Sequence, residues 1–281
     1  MKIGMPILYE FDSLEENFAF AARGGFDFVE LNLNFSYCRK ELLDRRRMKE
    51  LKEKYGLGIT LHFFDEADFG TYEEVAESYF TLLKRYVTPA AECGLSTLVV
   101  HLIEGPVVTI SGVKNYVYEK EFDEYIARLE KMLFRVENFC REKGVVLALE
   151  NSKTVQYMEK TYAVLKKDGF SFTFDIGHDE VCGNLPLKIF EQTDFCGVKE
   201  FHIHDVKEEN GHQPVVDPRL ERLVEGETVE TDPQTGFEQM VISGRGPRKI
   251  GQHERQHRKQ DQHHASGPRA ADKFPQPGKA I

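Results

Sequence analysis

The sequence predicts an α/β protein whose parallel strands form a (β/α)8 TIM barrel, with the eighth strand missing or replaced by an irregular C-terminal tail. Short apolar runs rich in β-branched residues alternate with longer amphipathic stretches, as βαβ units require. The count by residue 205 is seven such units, or six and a half, and right-handed crossovers between seven or eight parallel strands favour closure into a barrel. The 281 residues suit one such domain, because about 250 residues are typical.

An open doubly wound sheet is the structural alternative. It would normally carry a glycine-rich phosphate loop directly after the first strand. Residues 6–10 read Pro-Ile-Leu-Tyr-Glu instead, so the barrel is preferred. The predicted strands are Lys2–Ile7, Phe28–Asn34, Ile59–Phe64, Thr97–Leu102, Val145–Asn151, Phe172–Ile176 and Val198–Asp205.

The amphipathic stretches between these strands predict helices. Ser13 and Glu16 form a capping box at the start of the first helix, which Gly24 and Gly25 end. The loop Glu104–Val117 is long and contains glycine, so it is interpreted either as a lid over the site or as a loop packed on the barrel top. The other predicted helices are Glu41–Tyr55, Glu73–Cys93, Glu121–Lys143, Thr154–Lys167 and Leu185–Gln192.

Composition narrows the class of protein. The five cysteines are scattered and contain no C-x-x-C pair, which is typical of reduced thiols in a cytoplasmic protein. The N-terminus lacks the apolar region of a signal peptide, and no apolar run approaches the roughly 20 residues that span a bilayer. We therefore expect a soluble cytoplasmic protein without a membrane partner.

The composition changes after Pro214. Residues 215–281 contain two aromatic residues, against 30 in the first 214 residues. Residues 251–278 show neither the period of a strand nor that of a helix, and such a segment cannot bury enough apolar surface to offset its ordering entropy. We divide the chain into a barrel domain, 1–214, and an atypical segment, 215–281, interpreted as a disordered tail, a small extra domain or a coding sequence read out of frame.

Polar residues that can bind a metal recur at the ends of the predicted strands, where barrel enzymes place their sites. His202 and His204 are two residues apart on one strand, so their side chains face the same way. The full set is His62 on the third strand, His101 on the fourth, Glu150 on the fifth, Asp175 and His178 at the sixth, His202 and His204 on the seventh, and His212 in the next loop.

A single histidine at a strand end is more often structural, and a single carboxylate often caps a helix. Histidines and carboxylates that recur at the ends of five successive strands predict a divalent-metal site instead. These groups ligate Mn²⁺, Co²⁺, Mg²⁺ or Zn²⁺, and the mixture of imidazole and carboxylate suits Ca²⁺ less well.

Four motifs in this chain resemble the xylose isomerase-like barrel superfamily. That superfamily holds sugar and sugar phosphate isomerases and epimerases together with AP endonucleases of the endonuclease IV type. The resemblance covers residues 1–214. The motifs are Leu149-Glu150-Asn151, Phe174-Asp175-Ile176-Gly177-His178, Phe201-His202-Ile203-His204-Asp205 and Gly211-His212-Gln213-Pro214.

The isomerase branch implies one metal ion and a small sugar or sugar phosphate substrate. The resemblance implies that Glu150, Asp175 and either His202 or His204 bind the metal, and that His178 contacts the substrate. Such enzymes move a proton next to a carbonyl group, which needs catalytic acid and base groups. Glu150 is the candidate for one of these bases.

The nuclease branch accounts better for the additional histidines. By resemblance they hold further zinc ions, and the substrate is abasic DNA. The net charge of −10 argues against a nucleic-acid partner, because phosphate contacts need clustered Lys and Arg. We expect near three zinc ions per chain for the nuclease and one Mn²⁺, Co²⁺ or Mg²⁺ for the isomerase. The histidines concerned are His62, His101, His178 and His212.

Two more residues are candidates for substrate contacts. Glu30 ends the second strand and faces the same site, so it suits a contact to a substrate hydroxyl or a structural hydrogen bond. Lys153 follows Glu150-Asn151-Ser152 and is placed to neutralise a substrate phosphate, although a solvated lysine at a helix start is the more common interpretation.

The resemblance stops after Pro214. The family pattern continues into a Leu-Gly-x-Gly turn and an eighth strand that carries the last glutamate, whereas this chain reads Val-Val-Asp-Pro-Arg. We therefore predict weak or absent turnover, and a non-catalytic barrel that binds sugar or metal is the third hypothesis. An unclosed barrel exposes two strand edges, which predicts a homo-oligomer or aggregation.

Overall fold

The computed structural model describes residues 2–191, 195–207, 210–213 and 239–242. The chain divides into two compact units, 1–246 and 247–281, and every described residue lies in the first. Eight parallel strands in this unit close into a ring. The predicted parallel barrel is confirmed, while the proposed domain boundary at residue 214 stays a prediction.

The barrel strands lie within a few residues of the predicted ones. Their bounds are β1 Lys2–Pro6, β2 Phe28–Asn32, β3 Gly58–His62, β4 Leu95–Leu102, β7 Val146–Asn151, β8 Ser171–Asp175, β9 Val198–Ile203 and β12 Gln239–Ile242. Neighbours in the ring follow the order β1, β12, β9, β8, β7, β4, β3 and β2, all in parallel.

Four further strands form two antiparallel hairpins outside the barrel. One of them, β5 Val107–Ile110 with β6 Val113–Tyr116, occupies the segment that the sequence suggested as a lid or packed loop. Ser111 and Gly112 turn this hairpin with positive φ angles, the conformation that two-residue hairpin turns require. The other hairpin joins β10 Asp205–Lys207 to β11 Asn210–Gln213.

Helices cover the outside of the ring. Ser13 accepts from the backbone N–H of Glu16, and the Glu16 carboxylate accepts from Ser13 and from the Asp12 backbone, which confirms the predicted cap. The helices are α1 Leu14–Arg23, α2 Ser36–Leu42, α3 Arg45–Tyr55, α4 Glu73–Glu92, α5 Val117–Lys120, α6 Phe122–Glu142, α7 Met158–Lys167, α8 Ile176–Val181 and α9 Leu185–Glu191.

The predicted helix Glu41–Tyr55 is wrong as a single element. The structure has two helices here, which meet at Leu43 and Asp44. Asp44 leaves the helical conformation and its carboxylate accepts from the backbone N–H of Arg47, so it caps the second helix. An aspartate inside a charged, periodic run is a cap as readily as a solvated helix residue, and the sequence pattern did not separate the two.

The eighth position of the ring corrects the expectation of a missing strand. Gln239–Ile242, from the segment after Pro214, pairs in parallel with β1 on one side and β9 on the other. Val241 is buried and lies in register with Gly4 and His202. A four-residue strand from the atypical segment therefore closes the barrel.

Apolar side chains fill the space between the strands and the helices, as they do around other (β/α) barrels. Phe172 of β8, for example, is fully buried against Phe190 of α9 and Tyr162 of α7. Among the described residues, none of the helices is both long enough and apolar enough to cross a membrane.

Candidate metal centre

The candidate site lies at the carboxyl ends of the barrel strands. His62 is the last residue of β3, and Asp175 is the last residue of β8. Strand register pairs His101 of β4 with Glu150 of β7, and Asp175 with His202 of β9. Because side chains alternate along a strand, residues in register face the same side, and these reach the barrel mouth together.

Glu150 is at the centre of the cluster and is almost fully buried. One carboxylate oxygen, Oε2, lies 2.9 Å from His62 Nε2 and 3.4 Å from His101 Nε2. The other, Oε1, lies 2.9 Å from His202 Nδ1 and 3.7 Å from His178 Nδ1. One side chain thus joins four of the predicted histidines.

Asp175 organises the opposite side of the site. Its Oδ1 accepts from the backbone N–H of His178 at 2.6 Å and lies 2.9 Å from His204 Nε2. Asn151 fixes this strand end, because its side-chain amide donates to the Asp175 carbonyl while its oxygen accepts from the Asp175 backbone N–H, both at 2.8 Å. The sequence contained Asn151 in a motif but gave it no such role.

Backbone carbonyls fix the orientation of two histidine rings. His62 Nδ1–H donates to the Phe63 carbonyl at 2.9 Å, and His101 Nδ1–H donates to the Asp65 carbonyl at 3.2 Å. When these imidazoles are neutral, each therefore presents an Nε2 lone pair to the Glu150 carboxylate. A cation between them would satisfy both acceptors, and a histidine held through its other nitrogen is the usual metal-ligand arrangement.

In the metal-free cluster, protons between the histidine nitrogens and the carboxylates lie where a cation would bind. Burial raises the pKa of Glu150, but the charges of His202 and His101 outweigh it and bring this pKa well below its usual value. Burial lowers the pKa of His62, yet the hydrogen bond and charge of Glu150 raise it to about 9. The pKa of His202 is likewise well above its usual value, because Glu150 and Glu30 outweigh burial.

Two buried glutamates lie below the histidines inside the barrel. Glu30 of β2 accepts from His202 Nε2 at 3.1 Å. Glu200 of β9, which the sequence did not single out, is fully buried, and neither of its oxygens has a hydrogen-bond partner among the described residues. Burial and the charge of Glu30 raise the pKa of Glu200 to about 8. Glu200, His202 and His204 occupy alternate positions in the sequence, so their side chains face the same way. This alternation is the pattern that would have revealed Glu200.

Lys153 and His212 are the two remaining candidates. Lys153 is largely exposed, and its ammonium pairs with Glu104 Oε1 at 2.7 Å. A substrate phosphate there would compete with that carboxylate. His212 lies on β11, and its side chain falls outside the described residues.

The donor atoms form several overlapping groups that suit a cation. Each group has three or more ligand atoms within 4.8 Å of one another. Mixed imidazole and carboxylate donors at such spacing fit a divalent transition metal or Mg²⁺. The groups are His62, Glu150 and His202; His62, Asp65 and His101; His101, Glu150 and His178; and Asp175, His178 and His204. Glu30, Glu200 and His202 lie equally close together, but there the Glu30 carboxylate accepts a hydrogen bond from His202 Nε2.

Comparison with known proteins identifies the family. A family model described as a xylose isomerase-like TIM barrel matches residues 18–250. The chain belongs to the xylose isomerase-like TIM barrel family. The match extends beyond Pro214, where the motif resemblance stopped, and includes the eighth barrel strand.

Solved structures align over most of this xylose isomerase-like chain, at identities that show the fold alone. A D-tagatose 3-epimerase-like protein aligns with a TM-score of 0.65 at 18% identity, covering 87% of this chain and 91% of the other. The IOLI protein, solved with a zinc atom, gives 0.62 at 16%, covering 86% and 88%. Endonuclease IV from Thermus thermophilus gives 0.56 at 16%, covering 88% and 94%. No curated protein sequence matches the chain.

Proposed function

We propose that this barrel is a metal-dependent sugar or sugar phosphate isomerase or epimerase. The observation that carries the proposal is the buried carboxylate of Glu150 between histidine nitrogens whose rings are fixed from behind by backbone carbonyls. Such an arrangement suits a Lewis-acid cation, Mn²⁺, Co²⁺, Mg²⁺ or Zn²⁺, next to a substrate carbonyl. Glu150, Asp175, His202 and His204 are the proposed ligands.

The chemistry is proton transfer at the carbon next to a carbonyl. A bound divalent cation polarises the substrate carbonyl and hydroxyl oxygens. Glu150, kept ionised by its histidine neighbours, takes the proton in the one-base form of the reaction. His178, anchored by its Nδ1–H to the Asn151 carbonyl at 2.9 Å, orients a substrate oxygen. His62 and His101 close the other side of the site.

A second acid or base, which returns the proton to the other carbon or face, has no ionisable candidate within the described strand Gln239–Ile242. In the family pattern it comes from a glutamate on the eighth strand, whereas the described strand places buried Val241 in register with His202. An isopropyl group neither ligates a cation nor moves a proton. We therefore expect weak or absent turnover, and robust epimerase activity from purified residues 1–281 would contradict that expectation.

Metal analysis and solvent exchange test the proposed function. Purified protein is analysed for bound metal, then incubated with a panel of ketoses and ketose phosphates in D₂O. We expect about one divalent ion per chain and slow, metal-dependent incorporation of deuterium next to the carbonyl. A protein that binds none of the four metals would contradict the proposal.

Zinc-dependent cleavage of abasic DNA is the second candidate function. The observation that favours it is the position of His62 and His101, which are additional to a one-metal site yet both approach Glu150 Oε2. A carboxylate with one oxygen toward each of two histidine groups suits adjacent zinc ions. The net charge of −10 opposes DNA binding. About three zinc ions per chain with cleavage of an abasic duplex would favour the nuclease over the isomerase.

Metal affinity is expected to rise with pH. Despite burial, the hydrogen bond and charge of Glu150 raise the pKa of His62 to about 9 in the metal-free protein. A cation bound by Glu150 offsets that negative charge, so metal binding below this pH displaces a proton. Apparent affinity should therefore increase from about pH 6 to about pH 8.5. Calorimetry in two buffers of different ionisation enthalpy measures the protons released, and an affinity that is flat over this range would contradict the prediction.

Gly177 offers a test that separates the site from the fold. A β-carbon at this position would overlap the His204 ring, although α8 itself would accept alanine, which favours helix by about 1 kcal/mol over glycine. Gly177→Ala should displace His204 from Asp175 and weaken metal binding about 10- to 100-fold, the range for a misoriented ligand. The free energy of unfolding should change little.

The matched control for that variant is Ile176→Ala, at the preceding and exposed position of the same helix. It should leave both metal affinity and unfolding unchanged. Equal metal affinity of Gly177→Ala and the unsubstituted protein, measured by fluorescence competition, would show that His204 contributes nothing to the centre.

A further inference from the structure

We infer that Glu30 is a positioning residue, which holds the His202 ring through Nε2 so that Nδ1 faces Glu150 and the proposed metal. The inference rests on the proposed function, because it concerns the same centre. In this role Glu30 supports a metal ligand and does not contact a substrate hydroxyl.

The two nitrogens of His202 have different partners on opposite sides of the ring. Nδ1 lies 2.9 Å from Glu150 Oε1 and 3.9 Å from Asp175 Oδ2, the two carboxylates of the centre. Nε2 lies 3.1 Å from Glu30 Oε2. His202, Glu30 and Glu150 are all buried, so water does not compete for these hydrogen bonds.

The geometry of His202 is the reverse of that of His62 and His101. Those two rings are held through Nδ1 by carbonyls of the loop that follows β3, and they present Nε2 to the centre. No carbonyl contacts His202 in this way among the hydrogen bonds of the described residues, and a carboxylate from the strand across the ring takes that place. A carboxylate behind a ligating imidazole fixes its tautomer and raises its basicity.

Glu200 is the natural comparison for Glu30. It is a second buried glutamate beside the same ring, but its Oε1 lies 3.9 Å from His202 Nε2, which is beyond hydrogen-bond distance. A general loss of packing inside the barrel would be similar for either residue. Loss of the hydrogen bond to Nε2 is specific to Glu30.

Metal titration of paired variants tests the inference. Zn²⁺ affinity is measured by competition with a chromophoric chelator for the unsubstituted protein, Glu30→Gln, Glu30→Leu and Glu200→Gln. We expect about a 10-fold loss for Glu30→Gln, which keeps an oxygen, and about 100-fold for Glu30→Leu, which keeps none. Glu200→Gln should stay within about threefold of the unsubstituted protein. Circular dichroism melting identifies any variant that does not fold.

A spectroscopic readout distinguishes positioning from general stability. In the zinc-loaded protein, ¹H–¹⁵N spectra of labelled histidine should contain a slowly exchanging Nε2–H of His202, absent in Glu30→Leu and retained in Glu200→Gln. Equal losses in the Glu30 and Glu200 variants, or unchanged affinity in both, would overturn the inference. Failure of the unsubstituted protein to bind zinc, manganese, cobalt or magnesium would instead overturn the proposed function.

Discussion

Replacing Glu150 with glutamine is expected to weaken divalent-metal binding by about 100-fold or more, the largest effect of any single substitution at the site. Glu150 approaches His62 and His101 through one oxygen and His202 through the other. The amide keeps the shape but loses the negative charge that neutralises a bound cation. One of its ends would also place N–H groups where a metal ligand is needed.

Equilibrium dialysis with Zn²⁺ and Mn²⁺ measures this effect directly. Glu180→Gln is the matched control, because Glu180 is an exposed glutamate on the short helix that follows β8. It should bind metal like the unsubstituted protein. If Glu150→Gln retains both metals at full stoichiometry and affinity, the centre does not lie among these histidines.

Replacing Phe172 with alanine is expected to lower the free energy of unfolding by about 3–5 kcal/mol. The ring is fully buried between the barrel wall and its helices, 5.2 Å between centroids from Phe190 and 6.2 Å from Tyr162. Truncation removes apolar contact on the same strand that ends in Asp175, and the cavity cannot collapse easily because two aromatic rings from different helices line it.

Urea denaturation followed by far-UV circular dichroism measures this change. Phe134→Ala is the control, because Phe134 also packs on a ring, that of Phe170, but is 40% exposed. It should cost about 1 kcal/mol or less. Similar losses in the two variants would show that the packing between β8 and its helices is not a main source of stability.

The barrel, and the histidines and carboxylates that its strand ends bring together, were predictable because both depend on local sequence. Alternating apolar and amphipathic segments define strand–helix units, and crossover handedness brings the strand ends to one face. Each predicted polar residue from His62 to His204 lies at or directly after such a strand end.

The connections inside the site were not predictable, because they are made between distant segments. Glu30 and His202 are 172 residues apart in the chain and meet only across the closed ring. The nitrogen that each histidine presents depends on a carbonyl or carboxylate behind its ring, which no residue pattern specifies. The burial of Glu200 was not predictable either, because a glutamate on a strand is ordinarily interpreted as part of a solvated face.

The eighth strand was missed for a different physical reason. Its four residues, Gln-Met-Val-Ile, are fewer than the usual five or six of a strand and carry no helix pattern before them. Backbone pairing with both β1 and β9 stabilises these four residues as a strand, which their local sequence does not do by itself.

The closing strand also sets an order for folding. Gly4 pairs with Val241, so the last ladder of the ring joins residues 237 positions apart (241 − 4), the longest separation among the paired strands of the described residues. Contacts of such sequence separation form late, because the loop entropy must be lost first. On the ribosome, the seven other barrel strands are synthesised before Gln239 appears, so the strand ends that carry the histidine cluster exist before the ring closes. Capture of the proposed metal can therefore precede completion of the barrel.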